Sequence, residues 1–254
     1  TSDEMTIVEP ELTLEKTGPA QLQLGVPAIY TLNVHNVGGS PAWDVTLYDL
    51  LPNIADGGTC DAAPDNWTAQ VFDSTGANPV SPALVEGTDY TLTFLGDPDC
   101  TVTLNFLTPD SAIGADERLI VTYQAYLDTD SQQGVDLTDV AGATEWFSLD
   151  YSDANNIPYT RTYTRTVTDG TVGTLDHEDA HTAVTFTPLL SFEKYAVNVT
   201  TGEDPATVAT PGDTIRYTLS VENLSDTPLD NFSIVDELDR LNAPPMFQPG
   251  TLTI

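Results

Sequence analysis

Positive charge is the scarcest commodity in this sequence. Seven Lys+Arg stand against 39 Asp+Glu, a formal charge of −32 over 254 residues. Such a balance excludes nucleic acid and anionic membrane surfaces as partners, because both are held by basic patches. Long apolar runs are missing too, so no segment here is a candidate membrane span. Helical periodicity is nowhere sustained, which excludes a helix bundle. Histidine occurs three times and cysteine twice, leaving little material for a metal centre. No Ser/His/Asp order, phosphate-cradling glycine loop or nucleotide fingerprint is present, and the chain does not read as an enzyme. With 40% hydrophobic residues it can still build a core and is not a disordered acidic tail.

What is present is a repeat. Leu12-Thr13-Leu14-Glu15-Lys16, Tyr30-Thr31-Leu32-Asn33-Val34-His35-Asn36 and Val45-Thr46-Leu47-Tyr48-Asp49 return as Leu190-Ser191-Phe192-Glu193-Lys194, Tyr217-Thr218-Leu219-Ser220-Val221-Glu222-Asn223 and Phe232-Ser233-Ile234-Val235-Asp236. The offset is 178 at the lysines and 187 from the tyrosines on, so the second copy holds nine extra residues in between. Self-similarity of this kind points to tandem domains. Residues 1–10 also align with 179–188, Pro10 over Pro188. The chain therefore reads as a window on a longer array. Residues 1–10 are the last strand of a preceding repeat, or a donor strand for a neighbour; 11–188 form one repeat; and 189–254 form the first half of the next.

Short alternating runs between turn residues predict an all-β fold of tandem immunoglobulin-like sandwiches. Strands are expected at 11–17, 28–36 and 44–50. An irregular insert, about 53–115, contains one strand near 101–107. Strands at 118–127 and 137–143, a polar excursion over 149–180 and a final strand at 181–187 complete the repeat. Residues two apart in a strand share a face. Lys16 therefore sits with Leu12 and Leu14, Asp49 with Val45 and Leu47, and Asp139 with Leu137 and Ala141. These are charges on apolar faces. Lys194 and Asp236 repeat the placement, and Lys16 and Lys194 are the chain's only lysines. Parity alone reads as a buried Lys–Asp ion pair; Asp136, another acid nearby, has the parity that points away from the core.

The pattern E-K, then Y-T-L-x-V-x-N, then a strand ending D-x-L resembles the conserved β-sandwich repeat of bacterial and archaeal surface proteins, an isopeptide-forming fimbrial or adhesin-type domain. It covers 11–52 and 189–238. Leu137-Thr138-Asp139-Val140-Ala141 matches more loosely, since many such repeats have Asn where Asp139 stands. The resemblance implies an extracellular, cell-surface chain. It also implies a Lys16–Asp139 isopeptide bond with Asp49 as assisting acid, and Lys194 with Asp236 doing the same in the next repeat. Expected partners are neighbouring repeats and other copies in a fibre. The alternative is a ligand-binding adhesin whose recognition surface is the insert with Trp43, Trp67 and Tyr90.

Two cysteines within one insert of a secreted domain predict a Cys60–Cys100 disulfide. His177-Glu178-Asp179-Ala180-His181 fits the letters of a zinc-protease motif, but that motif needs a helix. Here it runs into an alternating strand, so it reads as a solvated turn. The stretch 128–136 lacks the glycine and closing glutamate of an EF-hand and reads as a polar hairpin turn. No cofactor is implied; surface calcium is compatible with this acidity, but the sequence does not place it.

Overall fold

The computed structural model describes residues 7–174, 176–186, 190–223, 228–229, 231–237 and 246–252. It divides into two compact units, Thr1–Thr187 and Pro188–Ile254.

The first unit contains β1 (Leu12–Thr17), β2 (Gln21–Gln23), β3 (Ala28–Asn36), β4 (Trp43–Leu50), β5 (Asn53–Ile54), β6 (Gly57–Gly58), β7 (Asp65–Phe72) and β8 (Tyr90–Leu95). After these come β9 (Thr101–Phe106), β10 (Arg118–Ala125), β11 (Asp136–Phe147), β12 (Thr162–Thr164) and β13 (Glu178–Phe186). One sheet has the order β1-β3-β10-β7; the other runs β2-β13-β11-β4-β9-β8, with β12 on β11. The pairings are antiparallel except β2 with β13. Among the described residues no helix is long and apolar enough to cross a membrane.

Alternation builds the core. Leu12, Leu14, Tyr30, Leu32, Val34, Leu119, Val121 and Tyr123 are buried from the first sheet; Val45, Leu47, Val102, Leu104, Leu137 and Ala141 are buried from the second. A one-residue slip would turn each of these sets to solvent, so burial of one face fixes the register.

The sequence leaves 53–115 irregular apart from one strand; the structure shows otherwise. Trp67, Ala69 and Val71 alternate inward, and β7 pairs with β10 in the first sheet. β9 pairs with β4 and carries β8, extending the second sheet. The segment is thus built into both layers. Of residues 1–10, Thr1–Thr6 lie outside the described residues and the remainder is not in a strand. Glu9 still anchors there, its backbone carbonyl accepting from Gly39 N–H and its carboxylate from Arg161 and Tyr163.

The second unit holds β14 (Leu190–Asn198) paired with β15 (Ile215–Asn223). Lys194 faces Leu219 there, as Lys16 faces Leu32 in the β1–β3 pair. Both copies therefore use the same register.

Candidate functional site

Lys16 leaves β1 and points between the sheets, where it meets two carboxylates from the opposite layer. Its Nζ donates to Asp49 Oδ1 at 2.5 Å and lies 2.6 Å from Asp139 Oδ1. All three side chains have 0% exposure. The two approaches differ. The contact with Asp139 Oδ1 is within ion-pair distance but outside hydrogen-bonding angles, so that oxygen has no hydrogen-bond partner. Asp49 and Asp139 come from adjacent strands, in which Asp49 pairs with Ala141. They are therefore diagonal neighbours on one face.

A fourth group closes the cluster. The Tyr123 hydroxyl, from β10, accepts from Lys16 Nζ at 3.0 Å and lies within donating distance of Asp49 Oδ2 (2.7 Å) and Asp139 Oδ2 (3.1 Å). Its ring stacks between Trp67 (centroids 4.4 Å) and Tyr30 (5.4 Å). Lys16 Nζ sits 5.4 Å from the Tyr30 centroid and 5.5 Å from that of Tyr123. These faces favour a cation there.

Burial pushes the Asp139 carboxyl well above the usual carboxylate range, and the neighbouring Asp49 charge adds to it; Lys16 pulls the other way but does not prevail. Desolvation likewise pushes the Tyr123 hydroxyl well above its ordinary value, helped by Asp139 and Asp49. Tyr30 is raised for the same reasons. The cluster thus contains an amine, a carboxyl held towards its neutral form, a second carboxyl and a neutral phenol, all shut off from water.

Asp179 supports this from the sheet edge. It is buried, and its carboxylate accepts Lys16 N–H and Gly173 N–H, each at 2.9 Å. Parity brings Lys16, Asp49 and Asp139 together as the sequence leads one to expect, and leaves Asp136 exposed on the other face. It says nothing of the part played by Tyr123 or Asp179. The position of Tyr123 on the apolar side of its strand is a signal, but the reach of its hydroxyl depends on the inter-sheet gap.

In the second unit Lys194 Nζ lies 2.5 Å from Asp236 Oδ1 and 4.7 Å from the Tyr217 centroid, with side-chain exposures of 35% and 25% for the ion pair. Cys60 and Cys100 form a disulfide, Cα atoms 5.5 Å apart.

Three sequence expectations are corrected. The aromatic recognition surface does not form: Tyr90 is buried, Trp67 packs on Tyr123 and donates to Pro64 O, and Trp43 is half-buried. Residues 128–136 are polar and mostly exposed but are not a hairpin turn, because they join β10 of one sheet to β11 of the other; buried Asp128 accepts Cys60 and Asp61 N–H. The 177–181 stretch is not a solvated turn either, since β13 begins at Glu178. His181 Nε2 meets Pro19 O and His177 Nε2 meets Thr166 O, so the two imidazoles have separate partners. Among the described residues no group of three or more His, Cys, Asp or Glu is placed to hold a metal ion.

No family model matches the chain, and no curated protein matches it. Solved structures with a similar arrangement include bacterial adhesin and pilin domains. The collagen-binding domain of a Staphylococcus aureus adhesin is 11% identical, covering 67% of this chain and 96% of its own, with a TM-score of 0.35. The collagen-binding subdomain of the Enterococcus faecalis surface protein ACE is 12% identical over 68% and 94%, TM-score 0.36. The major pilin subunit BcpA of Bacillus cereus is 9% identical over 85% and 55%, TM-score 0.37.

Proposed function

We propose that this chain is a structural segment of an extracellular surface fibre, stalk or adhesin built from tandem β-sandwich repeats, and that an isopeptide bond between Lys16 and Asp139 locks the first repeat. The observation that carries the reading is the water-free approach of Lys16 Nζ to Asp139 Oδ1, off the hydrogen-bonding direction, beside a second carboxylate. An isolated ion pair this deep gains little over apolar packing, because desolvation offsets the attraction. Condensation removes that cost.

Asp49 takes a proton from the Lys16 ammonium, and the neutral amine attacks Cγ of protonated Asp139. The C–N bond forms, a C–O bond breaks, the oxygen leaves as water, and the proton left over rests on Asp49. A neutral amide and a neutral acid replace the buried charges. The bond ties β1 in one sheet to β11 in the other, so tension on the chain meets a covalent link rather than hydrogen bonds alone. The Cys60–Cys100 disulfide supports an oxidising, extracellular setting. Lys194 and Asp236 are the matching amine and assisting acid of the next repeat.

Intact-mass measurement with peptide mapping tests this. The expected result is a chain lighter than its sequence by one water, with Lys16 and Asp139 in one branched peptide. A full sequence mass, with the two residues in separate unmodified peptides, refutes it.

A further inference from the structure

The cross-link chemistry just proposed needs a proton delivered to the departing oxygen, and the acid beside the amine is not the group best placed to deliver it. Asp49 Oδ1 is engaged with Nζ at 2.5 Å. The group that reaches every participant is the Tyr123 hydroxyl, 3.0 Å from Nζ, 2.7 Å from Asp49 Oδ2 and 3.1 Å from Asp139 Oδ2. We infer that Tyr123 is a catalytic residue of the self-condensation, passing a proton from the attacking Lys16 nitrogen to Asp139 Oδ2 as that oxygen departs.

This inference rests on the Lys16–Asp139 reading. The relay balances without ionising the phenol. Tyr123 gives its own proton to Oδ2 while accepting the second proton shed by the attacking Lys16 nitrogen, so the C–O bond breaks to release water and Asp49 keeps the proton it took first. The ring is held for this. Trp67 stacks on one side at 4.4 Å and 22°, Tyr30 on the other at 5.4 Å and 19°. Two stacking faces leave the hydroxyl little freedom to swing, and fixed donors of this kind lower a barrier without reorganising during the step. Water cannot substitute, because the reacting side chains are fully enclosed.

The test follows intact mass over time in the full chain, wild type against Tyr123→Phe. Phenylalanine keeps the ring between Trp67 and Tyr30 and removes only the oxygen. Wild type is expected one water light from the first measurement. Tyr123→Phe is expected to isolate mostly at full mass and to lose water at least about a hundredfold more slowly, the usual effect of losing a positioned acid. Trp67→Leu, which loosens the stack and keeps the hydroxyl, is expected to cross-link. Tyr123→Phe as light and as prompt as wild type overturns the inference and leaves the bond standing. Trp67→Leu stalled to the same degree as Tyr123→Phe also overturns it, because packing then explains both. Wild type at full mass removes the cross-link and this inference with it.

Discussion

Lys16 and Asp139 come within 2.6 Å of each other although they belong to different sheets, and neither side chain touches water. Lys194 and Asp236 are as close as Lys16 and Asp49, at 2.5 Å, but are partly exposed. The same pair of residue types therefore sits in two dielectric settings, and the consequences of removing the lysine should differ. Lys16→Ala strands two buried carboxyls and also removes the proposed cross-link, so it should cost at least about 3–5 kcal/mol. Lys194→Ala should cost under about 1 kcal/mol. Denaturant unfolding of both variants checks the contrast; equal losses would contradict it.

The disulfide joins residues with a sequence separation of 40. Closing a loop of that length constrains the unfolded chain by roughly 4 kcal/mol on the entropy model. Thiol alkylation of unreduced, denatured protein should label neither cysteine. Reduction should lower the unfolding free energy by about that amount, and an unchanged denaturation midpoint would refute the estimate.

The parts of this fold legible in the sequence are those in which one face is buried and the other is wet. β1, β3, β4 and β10 alternate cleanly, so their parity places Lys16 and Asp49 in the core. Asp139 on β11 follows the same rule at its own end of the strand. The strands of 53–115 were harder to see. β7 opens with four residues that are not buried, and alternate positions of the edge strand β8 are exposed. Asp179 was concealed by a different cause: its neighbours His177 and His181 invite a metal reading, whereas its role is to satisfy two backbone donors. The disulfide followed from cysteine count and compartment alone.

Asp179 gives a prediction of its own. Both its oxygens accept backbone N–H groups, from Lys16 and Gly173. Asp179→Asn replaces one acceptor by a donor facing a donor. Leaving a buried N–H unpaired costs about 1–3 kcal/mol. The variant should melt lower, and amide exchange at Lys16 should accelerate more than at Leu32 on the next strand. Unchanged exchange at Lys16 would show that the cap does not hold the edge.

Alkaline pH should unfold the protein through its tyrosines. Desolvation raises Tyr123 and Tyr30 well above the ordinary tyrosine range, with Asp139 and Asp49 adding to it. Burial, with the hydrogen bond and charge of Glu9 behind it, pushes Tyr163 up to about 12. A group whose folded pKa lies above its unfolded value contributes stability that is complete below the unfolded pKa. That contribution is lost as pH rises towards the folded pKa, because the unfolded chain releases the proton first. The unfolded tyrosine value is about 10, so stability should be level towards neutrality on this account and fall steadily above that point. Tyrosinate absorbance of the folded chain should include a component near pH 12 from Tyr163. Tyr123 and Tyr30 should ionise only with unfolding, in step with loss of the far-ultraviolet strand signal. Complete tyrosine ionisation near pH 10 with the strand signal intact would mean that these hydroxyls are not enclosed.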